Sequence, residues 1–155
     1  MNIVELISVI AIVLSLLFVA YQIYQSNKIA KVTTEYEIRN NHSSSNEIAM
    51  SDPGFALLLS KLADPSYTMT DGEDVQALAF VLRTVNFWAA AGTAYENGML
   101  TKDTYDFVLD DIRLVVRGMP ALHPTIYRTL EQFPSLRGTK VIGFAEGLLK
   151  TTSKQ

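Results

Sequence analysis

Leu6-Ile-Ser-Val-Ile-Ala-Ile-Val-Leu-Ser-Leu-Leu-Phe-Val-Ala20 is the stretch on which the reading of this chain turns. No charged residue occurs over 6–27, and the apolar character extends through Tyr21 to Tyr24. As a helix rising ~1.5 Å per residue, 6–27 is about 33 Å long, enough to cross a hydrocarbon layer of ~30 Å. A cleaved signal peptide would begin with a basic region and end in a small-x-small site. Here the start is Met-Asn-Ile-Val-Glu5, acidic, and no such site precedes a polar segment, so the reading is an uncleaved anchor. Tyr21 and Tyr24 suit an aromatic belt. Lys28, Lys31 and Arg39 follow it, while the N-terminal flank offers only Glu5. The positive-inside tendency then predicts a single pass through the plasma (cell inner) membrane, N-terminus outside and C-terminal domain cytoplasmic.

Ser8, Ser15 and Gln22 recur every seven residues and share one stripe of the span. Two uses compete for that stripe. Small and amide side chains can hold a neighbouring helix, or the serines can bond their own backbone while Gln22 reaches the headgroups. The stripe continues at three-four spacing through Ile29, Val32, Tyr36, Arg39, Ser43, Asn46 and Met50, which predicts a stalk seam that is apolar only in its first half. Asn40-Asn-His-Ser-Ser-Ser-Asn46 forms helix poorly, so 28–51 reads as a helical stalk or as a linker.

Beyond it, 52–150 carries the signals of a small antiparallel helical bundle, with 151–155 a frayed tail. Asp52-Pro53 is an N-cap and first-turn proline for a short helix over 55–62. Thr70 with Glu73 is a capping box that opens a helix over 71–97, apolar on nearly every side and closed by Gly98; this is the expected central helix. Thr101 caps a helix over 102–118, which must fold back as a hairpin partner because the connector is short. Its Phe107 and Leu114 lie on the face of Asp103, Asp106, Asp110 and Asp111, opposite the main apolar stripe, and predict a second surface that covers them. A loop over 120–124, a short helix over 125–133, a turn at Pro134-Ser135 and a last helix over 136–150 complete the chain. No strand alternation or fixed-period repeat interrupts this, so the fold class is all-α.

The chemistry is sparse. The full sequence has 155 residues, 13 basic and 16 acidic, net charge -3, without a long run of either sign, which argues against a nucleic-acid partner. Zero cysteines exclude a disulfide scaffold, a thiolate zinc site and a cysteine nucleophile. The aspartates of 103–111 read as a solvated helix start rather than a cation site, and His42 and His123 as surface histidines without a second ligand at zinc spacing. Gly-rich phosphate loops, Gly-x-Ser-x-Gly and His-Glu-x-x-His are absent; Gly143 and Gly147 suit close helix packing. No cofactor, metal or catalytic residue is expected. Ala89-Ala-Ala-Gly92 admits close approach of another backbone or a cofactor, and Trp88, Tyr95 and Met99 form a candidate pocket beside it, with core packing the favoured use.

The anchor followed by Tyr21-Gln-Ile-Tyr-Gln25, the Ala63-Asp-Pro65 turn, and Tyr95-Glu-Asn-Gly-Met-Leu-Thr-Lys-Asp103 between two helices resemble uncharacterised bacterial proteins with one N-terminal span and a small helical cytoplasmic domain of unknown function. The resemblance implies the same layout and a bacterial source, and carries no activity onto any residue. The function expected from the residues is a membrane-anchored protein-interaction module. It would either self-assemble through the span stripe and stalk or serve as an accessory subunit of a larger membrane complex through Phe107 and Leu114. The rivals are a membrane-tethered small-ligand sensor or enzyme with its pocket near Trp88, and a subunit of an oligomeric channel. The partners expected are therefore the lipid bilayer and another protein.

Overall fold

The computed structural model describes residues 2–152, with the backbone alone at 45, 46, 48 and 49. Among the described residues there are six α-helices, two short 3-10 turns and no strand. Helix α1 (Ile3–Ser51) carries both the apolar span and the stalk as one uninterrupted helix. At 1.5 Å per residue it is about 74 Å long. The polar run at 40–46 therefore stays helical; the bundle packed along it supplies what propensity does not. The side chain of Asn46, and residues 153–155 of the expected tail, lie outside the described residues. Thr151 and Thr152 continue the last helix.

The cap signals translate directly into boundaries. Asp52 accepts from the Gly54 and Phe55 amides at the start of α2 (Pro53–Lys61). Thr70 and Glu73 form the reciprocal capping box of α3 (Asp71–Glu96). Gly98 takes φ 71°, which ends that helix in a left-handed turn. Thr101 accepts from the Thr104 amide at the start of α4 (Lys102–Gly118).

The tail departs from the expected pattern. The segment expected as a loop over 120–124 is a 3-10 turn (Pro120–Leu122) that runs directly into α5 (His123–Gln132). The last helix, expected from residue 136, begins later: Pro134–Gly138 is a second 3-10 turn, and α6 spans Lys140–Thr152. Thr139 is extended, and the Lys140 amide donates to the Glu96 carboxylate of α3, so a first-turn donor finds its partner across the bundle.

Helix α3 is the centre, packed by α1 on one side, by α4 beside it and by α5 and α6 on the other. Its Val81, Val85, Trp88 and Ala91 are buried with Val108, Ile112 and Val116 of α4, Ile126 and Leu130 of α5, and Val141, Ile142 and Leu149 of α6. By length and composition α3 resembles a membrane span as α1 does, but 39 % of its apolar window is buried by these neighbours, whereas none of the α1 window is. Each fully buried Leu, Ile or Val contributes about 1.5–3 kcal/mol relative to exposure. Helices α3 and α6 approach closely at Gly92, where a Cβ would lie 2.5 Å from Val141 Cγ1 of α6. Gly143 and Gly147, expected at a packed face, face outward instead, and a Cβ added at either would meet nothing within 4 Å.

The bundle lies alongside the stalk in a definite register. Arg83 of α3 bonds Ser44, while Thr101, Thr104 and Asp111 lie against Glu35, Arg39 and His42. Helix α3 thus runs antiparallel to α1 and α4 runs parallel to it. The α3–α4 connector is carried back toward the span.

Candidate functional site

Two faces of α1 have different work. The face toward the bundle presents Glu35, Ile38, Arg39 and His42. Among the described residues Ile38 is the α1 side chain that is buried, at 5 % exposure. Around it, the Thr101 amide donates to the Glu35 carboxylate at 2.7 Å and the Arg39 guanidinium donates to the Thr104 hydroxyl at 3.0 Å. Hydrogen bonding from the Thr101 side chain, and then from its amide, holds the Glu35 carboxyl below its ordinary value against the opposing effect of burial.

His42 is the fourth contact and not a free surface residue. Its Nε2 lies 3.1 Å from Asp111 Oδ1, and its ring meets Phe107 edge-on with centroids 4.7 Å apart. The second oxygen of Asp111 accepts from Trp88 Nε1 at 2.7 Å. Trp88 therefore sits in the core with its single donor satisfied, and the chain Trp88–Asp111–His42 ties that core to the stalk.

The three residues of the candidate pocket have different surroundings. Trp88 is buried, Tyr95 stacks on Tyr105 with centroids 4.0 Å apart, and Met99 lines a groove against α1 instead. Within the Ala89–Gly92 run, Gly92 serves the approach of α6, while Ala90 lines a groove shared with Asn41 of α1. Phe107 and Leu114 are also separated in role: Phe107 is 37 % exposed and half covered by His42, whereas Leu114 is 67 % exposed. The aspartates beside them are engaged in ordinary pairs, Asp106 with Lys102 and Asp110 with Arg113. No group of three or more metal-ligating side chains gathers among the described residues.

The other face of α1 is open. Ile29, Val32 and Tyr36 are all exposed, as are the side chains along the span. At 100° per residue the Ile29/Val32/Tyr36 seam is centred about 120° around the helix from the Lys31/Glu35/Ile38/His42 face. The span stripe drifts ~20° per heptad, so Gln22 lies about 20° and Ser8 about 60° around the helix from Ile29, and all three turn away from the bundle face. Ser8 and Ser15 donate to the Val4 and Ala11 carbonyls, at 2.9 and 2.8 Å, while Gln22 has no hydrogen-bond partner among the described residues. Gln22 and Ile29 line a shallow depression bordered by Phe18 and Tyr21. Serines folded onto their own backbone leave a shallow surface beside larger ones, the relief into which a second helix packs.

The docking residues are the part that sequence reasoning misses. Their only signal is Ile38, one apolar position between Glu35 and His42 at helical spacing. No protein-family model, no curated protein and no solved structure matches this chain.

Proposed function

We propose that the chain is a membrane-anchored helical interaction module whose first partner is a second copy of itself, joined along the outward face of α1. In this reading 6–27 crosses the plasma membrane once with the N-terminus outside, and the bundle stands in the cytoplasm against the stalk. The observation that carries it is the division of α1 into two faces. The bundle satisfies Glu35, Ile38, Arg39 and His42, leaving Ser8, Ser15, Gln22, Ile29, Val32 and Tyr36 as one continuous unpartnered strip. Gln22 supports the reading further, since an amide without a partner at the edge of an apolar span gains most by bonding a neighbouring helix.

The test replaces Ser8, Ser15 and Gln22 together with leucine and measures oligomer size in detergent and in bilayers. Leucine preserves the apolar length of the span while filling the shallow surface and removing the amide. Association should fall. Because the natural chain has no cysteine, a Tyr36→Cys variant supplies a unique thiol that should crosslink between copies. Unchanged oligomer size together with no crosslink removes self-association.

A further inference from the structure

We propose that the groove between α1 and the α3–α4 connector binds the headgroup of an anionic phospholipid and seats the bundle on the membrane surface. The inference rests on the membrane-anchor reading above.

The groove has a volume of about 470 Å³ and is lined by Tyr24, Lys28 and Lys31 of α1 and by Asn97 and Met99 of the connector. That is within the ordinary size of a small-molecule site. Its depth follows from the chain itself. Lys28 is the first charge after the uncharged run 6–27, and Lys31 stands about 4.5 Å farther along the axis. The headgroup layer on each side of a bilayer is about 5–8 Å thick, so both ammonium groups and the connector facing them lie at phosphate level. The antiparallel descent of α3 beside α1 brings the connector there, although in the sequence Asn97 and Lys28 are far apart.

The charge selects an anion. Neither Lys28 nor Lys31 forms an ion pair among the described residues; Lys140 and Lys150 of α6 are likewise unpaired there, but only Lys28 and Lys31 stand together, one turn apart, in a groove beside the span. Glu35, one turn along the stalk, acts on Lys31 through space, but its carboxylate is already bonded to Thr101. Tyr24 offers a ring and hydroxyl at the same height, where aromatic side chains favour the interface, and Met99 supplies an apolar wall for the glycerol and first methylenes. A lysine near an anionic surface contributes about 1 kcal/mol, roughly a fivefold preference each and thirtyfold for the pair.

The experiment uses the full chain in phosphatidylcholine vesicles containing spin-labelled phosphatidylglycerol or spin-labelled phosphatidylcholine, with flotation of the same vesicles as the check on anchoring. The wild type should prefer the anionic label by roughly thirtyfold, K28Q or K31Q by about fivefold, and the double variant by about one. A second readout separates the groove from two lysines acting on the bilayer at large. A fluorophore on Asn97→Cys should be quenched by headgroup-labelled phosphatidylglycerol, and this quenching should be lost in K28Q/K31Q. Trp88 emission checks that each variant folds. Equal association of the two lipids, or a double variant that keeps its preference, overturns the proposal. So does a connector label that headgroup quenchers do not reach, and so does displacement of the labelled lipid by millimolar inorganic phosphate, which would make the ligand a soluble anion. Failure of the protein to float with either vesicle overturns the anchor reading itself, and this inference with it. Flotation without lipid preference overturns the inference alone.

Discussion

Gly92→Ala tests the packing of the bundle where α6 crosses close to α3. An alanine in the interior of a long helix is favoured over glycine by about 1 kcal/mol, so without tertiary contacts the change would stabilise α3. The added Cβ, however, would lie 2.5 Å from Val141 Cγ1 and 3.2 Å from Thr139 Cβ. Carbon pairs sit best at about 3.5–4.0 Å, so α6 must retreat by about 1 Å. Val141 cannot rotate away, since a β-branched side chain in a helix has essentially one rotamer and this one is fully buried. Overpacking of this kind costs about 1–3 kcal/mol, which leaves Gly92→Ala destabilising by about 1 kcal/mol net. The matched control is Gly143→Ala on α6, where a Cβ meets nothing within 4 Å; it should stabilise by up to ~1 kcal/mol. The assay is thermal unfolding of the full chain in detergent, followed by the emission of Trp88, the sole tryptophan, which reports the bundle core rather than the long α1. For a domain near 100 residues each 1 kcal/mol moves Tm by about 4–8 °C. The two variants should therefore shift Tm in opposite directions. In the Gly92→Ala/Val141→Ala double variant the clash is relieved, and the combined loss should be smaller than the sum of the single losses by about 1–3 kcal/mol. A Gly92→Ala protein as stabilised as Gly143→Ala would refute the α3–α6 contact.

Two further changes probe the polar ties. The Glu73 carboxylate accepts from the Thr70 amide, Lys61 and Tyr67, and the Thr70 bond leads the causes that hold its pKa down to about 2 from 4.5. A depressed carboxyl stabilises the fold above its unfolded pKa, and that stability is lost as pH falls through the folded one. Wild-type Tm should thus decline between about pH 4.5 and pH 2, and Glu73→Gln should flatten that part of the curve while lowering Tm at neutral pH. Asp111→Ala removes the acceptor of the buried Trp88 N–H and should cost about 1–3 kcal/mol, with a changed Trp88 emission. Asp111→Asn retains an acceptor oxygen and should recover part of the loss.

Legibility in the sequence differs by feature. Local signals carry through to the structure because they act within one turn of helix. Thr70 with Glu73, Asp52 with Pro53, Thr101, and Gly98 at φ 71° each mark a boundary that the surrounding three or four residues dictate. The tail is less legible. Pro134–Gly138 winds into a 3-10 turn and α6 waits until Lys140, because the register is set by the Glu96 carboxylate and the α6 contact at Gly92, neither of which is local.

The sequence by itself determined the all-α class, the continuous apolar run long enough for a span, the central place of α3 and the lack of a recognisable catalytic motif, since all of these are properties of period, composition and capping. Only the tertiary structure decided which face of α1 is taken and which is free. The reason is physical: among the described residues the docking face holds one buried apolar side chain, Ile38, and is otherwise fixed by Glu35, Arg39 and His42. Their partners lie more than 60 residues away, and hydrogen bonds over that separation leave no period in the sequence. The same holds for the glycines, since Gly92 and Gly143 are alike in sequence, and only the neighbour that α6 places against one of them makes its missing Cβ matter.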